Sequence, residues 1–555
     1  MKHHVEQILA DVMRDWWQAQ QLAPAEMPAV SVMVPKDKTH GDFACSVVMA
    51  MAKKLGRNPR ALADELCPLV TQRLAGTGTC AVAGPGFLNV TLAADAGLRV
   101  FVRLLERGDQ LGFSTHGAGK RVNVEYVSAN PTGPLTVGHG RNAAIGDIVA
   151  TMLAAIGYEV TREYYFNDAG NQMNVLARSV RTRYRQLLGS AEQLEENGYQ
   201  GEYIIDIAKT VLQEHGERLR DSDDLATFKG YAVAATFAMI KATLQRMGVR
   251  HDVYFNEHTL YTDGKIKATL DEIAARGLSY EQDGAVWFRA AQFGAEKDRV
   301  LVKSTGEPTY RLPDIAYHRE KFARGYDWMI DVFGADHLTT YPDVLACLGA
   351  LGYDTTKLTV LIHQFVTIVQ NGEIVKMSTR KANYITLDEL MDDVGVDATR
   401  YFFVMRKLGS HFEFDLGLAK KQSLDNPVFY VQYAHARICS VLRHCADEKP
   451  HLRIDQLNAA TVNGALLTAP EEQDLVRHLA QCEETIQQAA LSCEPHRLTA
   501  YLEKLAELFH RYYNQHQIVV ADDALAAARM ALAVMIRHAL RNGLNMLGIT
   551  AVERM

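Results

Sequence analysis

The sequence predicts an α/β fold, a parallel sheet flanked by helices, with a small α+β unit ahead of it and an all-helical unit behind. Three observations carry this expectation. Residues 121–156 follow a strand–turn–helix pattern. Val122, Val124 and Tyr126 alternate with other residues, and Asn130, Pro131, Thr132, Gly133 and Pro134 then break the strand. Ile145, Ile148, Val149, Met152, Leu153 and Ile156 follow along one helical face. The first 115 residues mix amphipathic stretches with short strand-like runs and turns. From Asn426-Pro427 onward, helical spacing dominates to the end.

Composition narrows the class. A chain of 555 residues forms several domains and buries a sizeable core, and 48% hydrophobic with 23% charged residues fits a soluble globular protein. The opening MKHHVEQILADVMRDWW lacks the apolar core of a signal peptide, and no apolar run of about 18 residues marks a membrane span. The eight cysteines include no C-x-x-C pair, so neither a structural metal nor a disulfide framework is expected, and a reducing cytoplasm is the expected compartment. A net charge of −7 does not exclude RNA, because counterion release depends on local basic patches.

Taken in order, residues 1–115 predict a helix near 5–20, a strand at 31–34, a helix through LADELCPLVTQRL, the turn Gly84-Pro85-Gly86 and a strand at 87–92. The 121–147 stretch comes next. Strand, glycine-containing turn and helix place a phosphate against free N–H groups at a helix N-terminus. Gly138 lets backbone approach a nucleotide, and His139 is placed to donate to a phosphate oxygen. An ordinary βα unit with a proline-rich loop is the plainer alternative. A second strand is expected at 159–164, then a polar turn at 167–172. Residues 175–285 turn to charged helices, the pattern of an insertion; Arg178, Arg181, Arg183 and Arg185 there suit either a solvated face or RNA contact. Lys376, Arg380 and Lys381 sit in a short polar loop, and Thr386 and Glu389 have capping-box spacing for the next helix. A connecting segment at 386–424 leads to the helical unit, 425–555.

Thr136-Val137-Gly138-His139 and Lys376-Met377-Ser378, in this order, resemble the two signature motifs of class I aminoacyl-tRNA synthetases. The wording around them, SANPTGPLTVGHGRNAAIGD and KMSTRKAN, with REYYFNDAGNQ, PDIAYHREKF and GITAVERM, resembles the arginyl-tRNA synthetase family over essentially the whole chain. The resemblance implies a Rossmann-like nucleotide-binding catalytic domain at 116–385, an N-terminal tRNA-binding domain and a C-terminal anticodon-binding bundle. It implies an ATP-dependent ligase that joins L-arginine to tRNA(Arg), with Mg2+ accompanying ATP and without a metal site of its own. A monomer is expected. The alternatives are another class I synthetase or a non-catalytic tRNA-binding paralogue.

Carried over residue by residue, the resemblance makes Thr136, His139 and Lys376 catalytic, and Gly138, Gly140, Met377, Ser378 and Lys381 further ATP contacts. It assigns arginine to Glu125, Ser128, Asn130, Tyr310, Asp314 and His337. A planar guanidinium calls for such a carboxylate with aromatic or hydroxyl neighbours; Asp314 as a favourable charge at a helix N-terminus is the alternative. It assigns tRNA contacts to Phe87 and Asn89 (otherwise a core aromatic and a turn asparagine) and to Tyr430, Tyr433 and Arg437, whose rings suit the core equally well. The chain departs from the family's commoner pattern at Thr136, Thr379 and Ala382.

Overall fold

The computed structural model describes residues 2–35, 37–93, 95–168, 170–370, 372–375 and 385–555. Five parallel strands form the central sheet, in the spatial order Leu358–His363, Trp328–Gly334, Arg121–Glu125, Glu159–Phe166, Val253–Asn256. The chain runs outward in both directions from the boundary between Arg121–Glu125 and Trp328–Gly334, where Val122 aligns with Trp328 and Glu125 with Asp331. In open parallel sheets the crevice beyond the carboxyl ends at such a reversal is where ligands bind.

Strands covered on both faces are buried along their whole length. Val122 and Val124 therefore join the apolar core with the helix Val137–Ala155, while the intervening Asn123 and Glu125 are buried as well. Their face meets the helix Arg311–Ala323 through polar groups. Asn123 donates to Glu163 at 2.5 Å, Tyr317 donates to Glu163 at 3.0 Å, and Lys321 lies between Glu125 and Asp331. The alternation in the sequence thus separates an apolar face from a buried polar one, not core from solvent.

The insertion is shorter than expected. Its helices are Gly170–Leu187, Glu202–His215 and Leu225–Arg246, with a core of their own that includes Leu176, Tyr184, Ile207 and Phe228. Val253–Asn256, inside the stretch assigned to the insertion, pairs with Glu159–Phe166 as the edge strand of the central sheet. A four-residue strand gives too few alternations to stand out beside helices. A small antiparallel sheet, Ser279–Gln282, Ala285–Phe288 and Arg299–Val302, follows, and Phe288 and Leu301 pack with Leu312 and Ile315. The four insertion arginines are half-buried, and three of them pair within the insertion: Arg178 with Glu195, Arg181 with Asp223, and Arg185 with Glu192 and Asp223. Arg183 donates to Gln186 at 2.9 Å, the other three are held in structural ion pairs, and the four do not form an open basic face.

The N-terminal unit holds four antiparallel strands in the order Val32–Met33, Phe43–Cys45, Phe87–Leu92, Gly78–Ala83, with a separate core built on Leu9, Met13, Trp17, Leu66 and Val70. The boundary expected at 115 moves back to about 93. The helix Ala96–Arg107 places Val100, Phe101 and Leu104 in the core of the main body. Asn542 of the last helix donates to the carbonyls of Asp109 and Leu111 at 2.8 and 2.9 Å. A chain starting near residue 94 is therefore expected to fold. One starting at 116 leaves cavities where Phe101, Leu104 and Leu111 sat, at about 3–5 kcal/mol for the phenylalanine alone. Gel filtration and thermal melting of the two truncations check this: the shorter chain should aggregate or melt far lower.

The C-terminal helices Pro427–Glu448, Pro470–Leu479, Cys482–Leu491, His496–Gln515 and Asp523–Met546 form one continuous core with the sheet. Leu532, Met535, Ile536, Leu540 and Leu544 of the last helix are buried. All eight cysteines are free. No helix among the described residues is long and apolar enough to cross a membrane.

Candidate active site

Beyond Glu125 the backbone turns sharply, with Val127 at φ 68° and Ser128 at φ 43°. For a β-branched residue this is a strained conformation that needs outside support. Asn142 supplies it: its Oδ1 accepts from Val127 N–H at 2.6 Å while its Nδ2 donates to Val332 O at 2.8 Å. One amide on the helix thereby ties together the ends of the two strands at the reversal. Ser128 Oγ donates to Glu125 at 2.9 Å and accepts from Tyr165 N–H at 3.1 Å. Asn130 is exposed at the rim, where its amide donates to Gln172 at 3.1 Å.

The helix Val137–Ala155 starts at Thr136, whose extended backbone serves as N-cap. Thr136 N–H donates to His139 Nδ1 at 3.1 Å, and Thr136 Oγ1 lies 3.1 Å from the same nitrogen. With Nδ1 accepting, the neutral ring carries its proton on Nε2. Burial lowers the His139 pKa, opposed by Asp336, so the neutral form prevails near pH 7. The imidazole thus offers an uncharged N–H donor beside first-turn backbone N–H groups that have no intrahelical acceptor. A Cβ on Gly138 would meet only Thr136 Oγ1, at 3.7 Å, leaving that approach clear.

Gly140 does something else. It is buried, and a Cβ there would come within 2.5 Å of Leu387 and 3.0 Å of Phe403, so this glycine serves close packing of the helix and not contact with ATP. Lys376, Met377, Ser378 and Lys381, with Thr379 and Ala382, lie outside the described residues. The segment that follows them is anchored beside the first motif. Thr136 bridges Thr386, Leu387 N–H donates to Leu135 O at 2.8 Å, and Thr386 and Glu389 form the expected capping box. Arg141, fully buried, donates to Gln364 O at 2.8 Å and lies 4.7 Å over the Phe412 ring.

On the polar face of the sheet, carboxylates gather. Lys321 bridges Glu125 and Asp331; burial alone would discharge it, but Asp331 and Glu125 raise its pKa. His318 Nε2 donates to Asp331 at 2.7 Å, and Asp331 and its neighbours raise its pKa against burial. Asp314, one turn earlier, is half-buried; desolvation, with Glu125, Glu257 and Asp331 added and His318 opposing, lifts its pKa to about 7. Glu257, raised chiefly by burial, accepts from Tyr165 OH at 2.6 Å and Asn167 at 2.8 Å. The group holds more carboxylates than cations, and Asp314 bears the consequence. It is a place prepared for an added positive charge.

The other assigned residues stand farther out. Tyr310 precedes the helix Arg311–Ala323 and is 86% exposed, so the structure does not close it over Asp314. His337 is exposed past the strand Trp328–Gly334 and stacks 4.8 Å from Phe333. Lys321, His318, Asp331, Glu257 and Asn142 were missed in sequence. The polar residues of PDIAYHREKF at i, i+4 and i+7 from Asp314 were the available signal.

Far from this cleft, Asn89 is 8% exposed on its strand, opposite Ala44 and Ala81, with Phe87 half-buried two residues before it. In the C-terminal bundle the structure does bring the assigned residues together. Arg437 lies 4.9 Å over Tyr433 and 5.0 Å over Tyr513, while Tyr430 and Tyr433 flank His510 at 5.0 and 5.6 Å. All are half-buried, a partly open aromatic and cationic face. Among the described residues no group of three or more His, Cys, Asp or Glu is arranged to hold a metal.

Comparison with known proteins gives three family matches in chain order: the arginyl tRNA synthetase N terminal domain at 1–92, the class I (R) tRNA synthetase catalytic domain at 102–405, and the DALR anticodon binding domain at 431–555. A relative from Desulfotalea psychrophila, Arginine--tRNA ligase, is 48% identical over 528 residues, 95% of this chain and 94% of its own. One of the same name from Salinibacter ruber is 47% identical, covering 95% and 96%. The solved Thermus thermophilus arginyl-tRNA synthetase shares the fold, with a TM-score of 0.78 at 23% identity over the whole of both chains. Domain order, signature geometry and near-complete coverage agree: the chain belongs to the arginyl-tRNA synthetase family.

Proposed function

We propose that the chain is an arginine–tRNA ligase, activating L-arginine with ATP and passing it to tRNA(Arg). The observation that carries this is the pairing of an under-neutralised carboxylate group, centred on Asp314, with a helix N-terminus that presents His139 Nε2–H at the same sheet reversal. In the first step the arginine carboxylate attacks the α-phosphate of ATP, and pyrophosphate leaves. In the second, a terminal ribose hydroxyl of tRNA takes the arginyl group and AMP leaves. Glu125, Ser128, Asn130, Tyr310, Asp314 and His337 hold the amino acid. His139, Thr136 and Gly138 meet the phosphates from the helix side and Lys376, Met377, Ser378 and Lys381 from the other. Such chemistry depends on positioning and on donors aimed at developing charge. Magnesium enters with ATP, bound by the phosphates.

Asn89 and Phe87 read an unstacked nucleotide of the tRNA, and Tyr430, Tyr433 and Arg437 stack on and neutralise the anticodon loop. The enzyme works as a cytoplasmic monomer, its N-terminal unit ending near 93 and its helical unit beginning near 425. Pyrophosphate exchange with each of the twenty amino acids, with and without total tRNA, tests the function. Exchange with arginine alone supports it, and exchange with a different amino acid or with none overturns it.

Thr136 gives a sharper local test. His139 Nδ1 has one lone pair and takes the Thr136 N–H, so the threonine hydroxyl proton stays available to a phosphate oxygen. Thr136→Val keeps the shape and removes the donor. Losing a hydrogen bond to a charged group costs about 1.5–3 kcal/mol, so adenylate formation should slow roughly ten- to 150-fold. Rapid-quench measurement decides: a rate within about twofold of wild type would limit Thr136 to its capping role.

A further inference from the structure

The insertion's third helix, Leu225–Arg246, touches both the loop that leads into the first signature motif and the helix Leu387–Val394. Near its middle, Thr236, fully buried, places its hydroxyl 2.8 Å from Pro131 O, in the loop that leads to Thr136, and 2.8 Å from Ala232 O of its own helix, so its one proton is shared between the two acceptors. Beside it Tyr203 OH donates to Thr132 O at 2.7 Å, and a Cβ on Gly133 would come within 2.7 Å of that hydroxyl, so the loop lies tightly against the insertion. Two turns along, Thr243 donates to Asp388, and Arg246 pairs with Asp388 at 3.1 Å and Asp392 at 2.5 Å. Both aspartates lie on Leu387–Val394, the helix that directly follows the second signature segment. Thr236 and Thr243 are seven residues apart, about 10 Å along a helix axis. The same helix spans two cores: Phe228 and Ala232 belong to the insertion, Ile240 and Leu244 to the main body.

We infer that the helix Leu225–Arg246 is a strut that fixes the separation of the loop 131–136 and the helix Leu387–Val394, with Thr236, Thr243 and Arg246 as positioning residues for adenylate formation. None of them reaches the reacting atoms. They act through the backbone of residues 131–136 at one end and through the helix Leu387–Val394 at the other. A rigid element held at both ends loses its effect when either end is released, and a second release adds little. The inference rests on the proposed ligase function for its kinetic part only.

The test uses the full chain with Thr236→Val, Thr243→Val, the double variant, and Thr236→Ser, which keeps the hydroxyl. Two readouts are taken: amide hydrogen exchange, and kcat and KM for arginine-dependent pyrophosphate exchange. Thr236→Val should speed exchange at 387–394, and Thr243→Val should speed it at 127–136, each by about threefold or more at the end not mutated. Each should lower kcat by about three- to tenfold, as for loss of one buried hydrogen bond, with the arginine KM within about twofold. The double variant should match the slower single variant within about twofold, and Thr236→Ser should behave as wild type. Hydrogen exchange changed only at the mutated end, or rate losses that multiply in the double variant, would overturn the strut. A wild-type enzyme unable to activate arginine would instead retire the proposed function, while the hydrogen-exchange readout would still decide the strut.

Discussion

Asp314→Asn should cut kcat/KM for arginine by roughly 30- to several-thousand-fold and leave the KM for ATP nearly unchanged. Removing one partner of a buried charge pair costs about 2–5 kcal/mol, largely because the other charge is left without a counter-charge. In this cleft Lys321 already occupies Glu125 and Asp331, so Asp314 is the carboxylate with capacity left for a guanidinium. The same geometry gives a pH dependence. Asp314 has a pKa of about 7 in the arginine-free protein, from desolvation and from Glu125, Glu257 and Asp331 against His318. A bound guanidinium lowers it, so arginine affinity should rise with pH through about 6–8, with proton release, and flatten above. Relative to about 3.9 in an unfolded chain, the folded pKa is raised. The associated stability is therefore present below that unfolded value and lost as pH rises through 7. Without arginine, then, the asparagine variant should melt higher than wild type at pH 8. Calorimetric titration with arginine at several pH values and melting curves check both parts. Equal losses for arginine and ATP would remove Asp314 from the amino-acid site.

What could be read from sequence, and what could not, follows from the range of the interactions. Local signals held. The strand and polar turn after Arg121, the helix behind Thr136 and the Thr386–Glu389 capping box are written in neighbouring residues. The misses are long-range. Val253–Asn256 is a strand only because Glu159–Phe166 lies beside it, and nothing in four residues announces that. The helix Ala96–Arg107 has an ordinary amphipathic pattern, which says that a face is buried but not against which domain. Gly140 stands directly after a signature motif, and only the position of Leu387, 247 residues later, shows that it serves packing. In the candidate site, Asp314 was legible because its chemistry suits a guanidinium. Lys321 was not, since a lysine in a helical run is ordinarily a solvated charge, and its burial depends on Glu125 and Asp331 arriving from two other strands.

His139→Asn should slow adenylate formation by about 100- to 1,000-fold, the usual cost of removing one donor aimed at charge developing in a transition state. The choice of asparagine follows from the ring's two nitrogens. Nδ1 accepts from Thr136 N–H and so completes the helix start, whereas Nε2 carries the proton. The asparagine Oδ1 falls close to the Nδ1 position and can take the same N–H, which preserves the cap while removing the outer donor. His139→Gln reverses the arrangement: its amide reaches toward the Nε2 position but leaves the Thr136 N–H without its acceptor. Glutamine should therefore recover part of the rate and melt lower, by about the 1 kcal/mol typical of a lost helix cap. A purely structural His139 predicts the opposite ranking, with asparagine close to wild type in rate and glutamine impaired. Single-turnover adenylate formation at saturating arginine and ATP, set beside the melting temperatures, separates the two. An asparagine variant within about threefold of the wild-type rate would leave His139 with the helix cap as its only task.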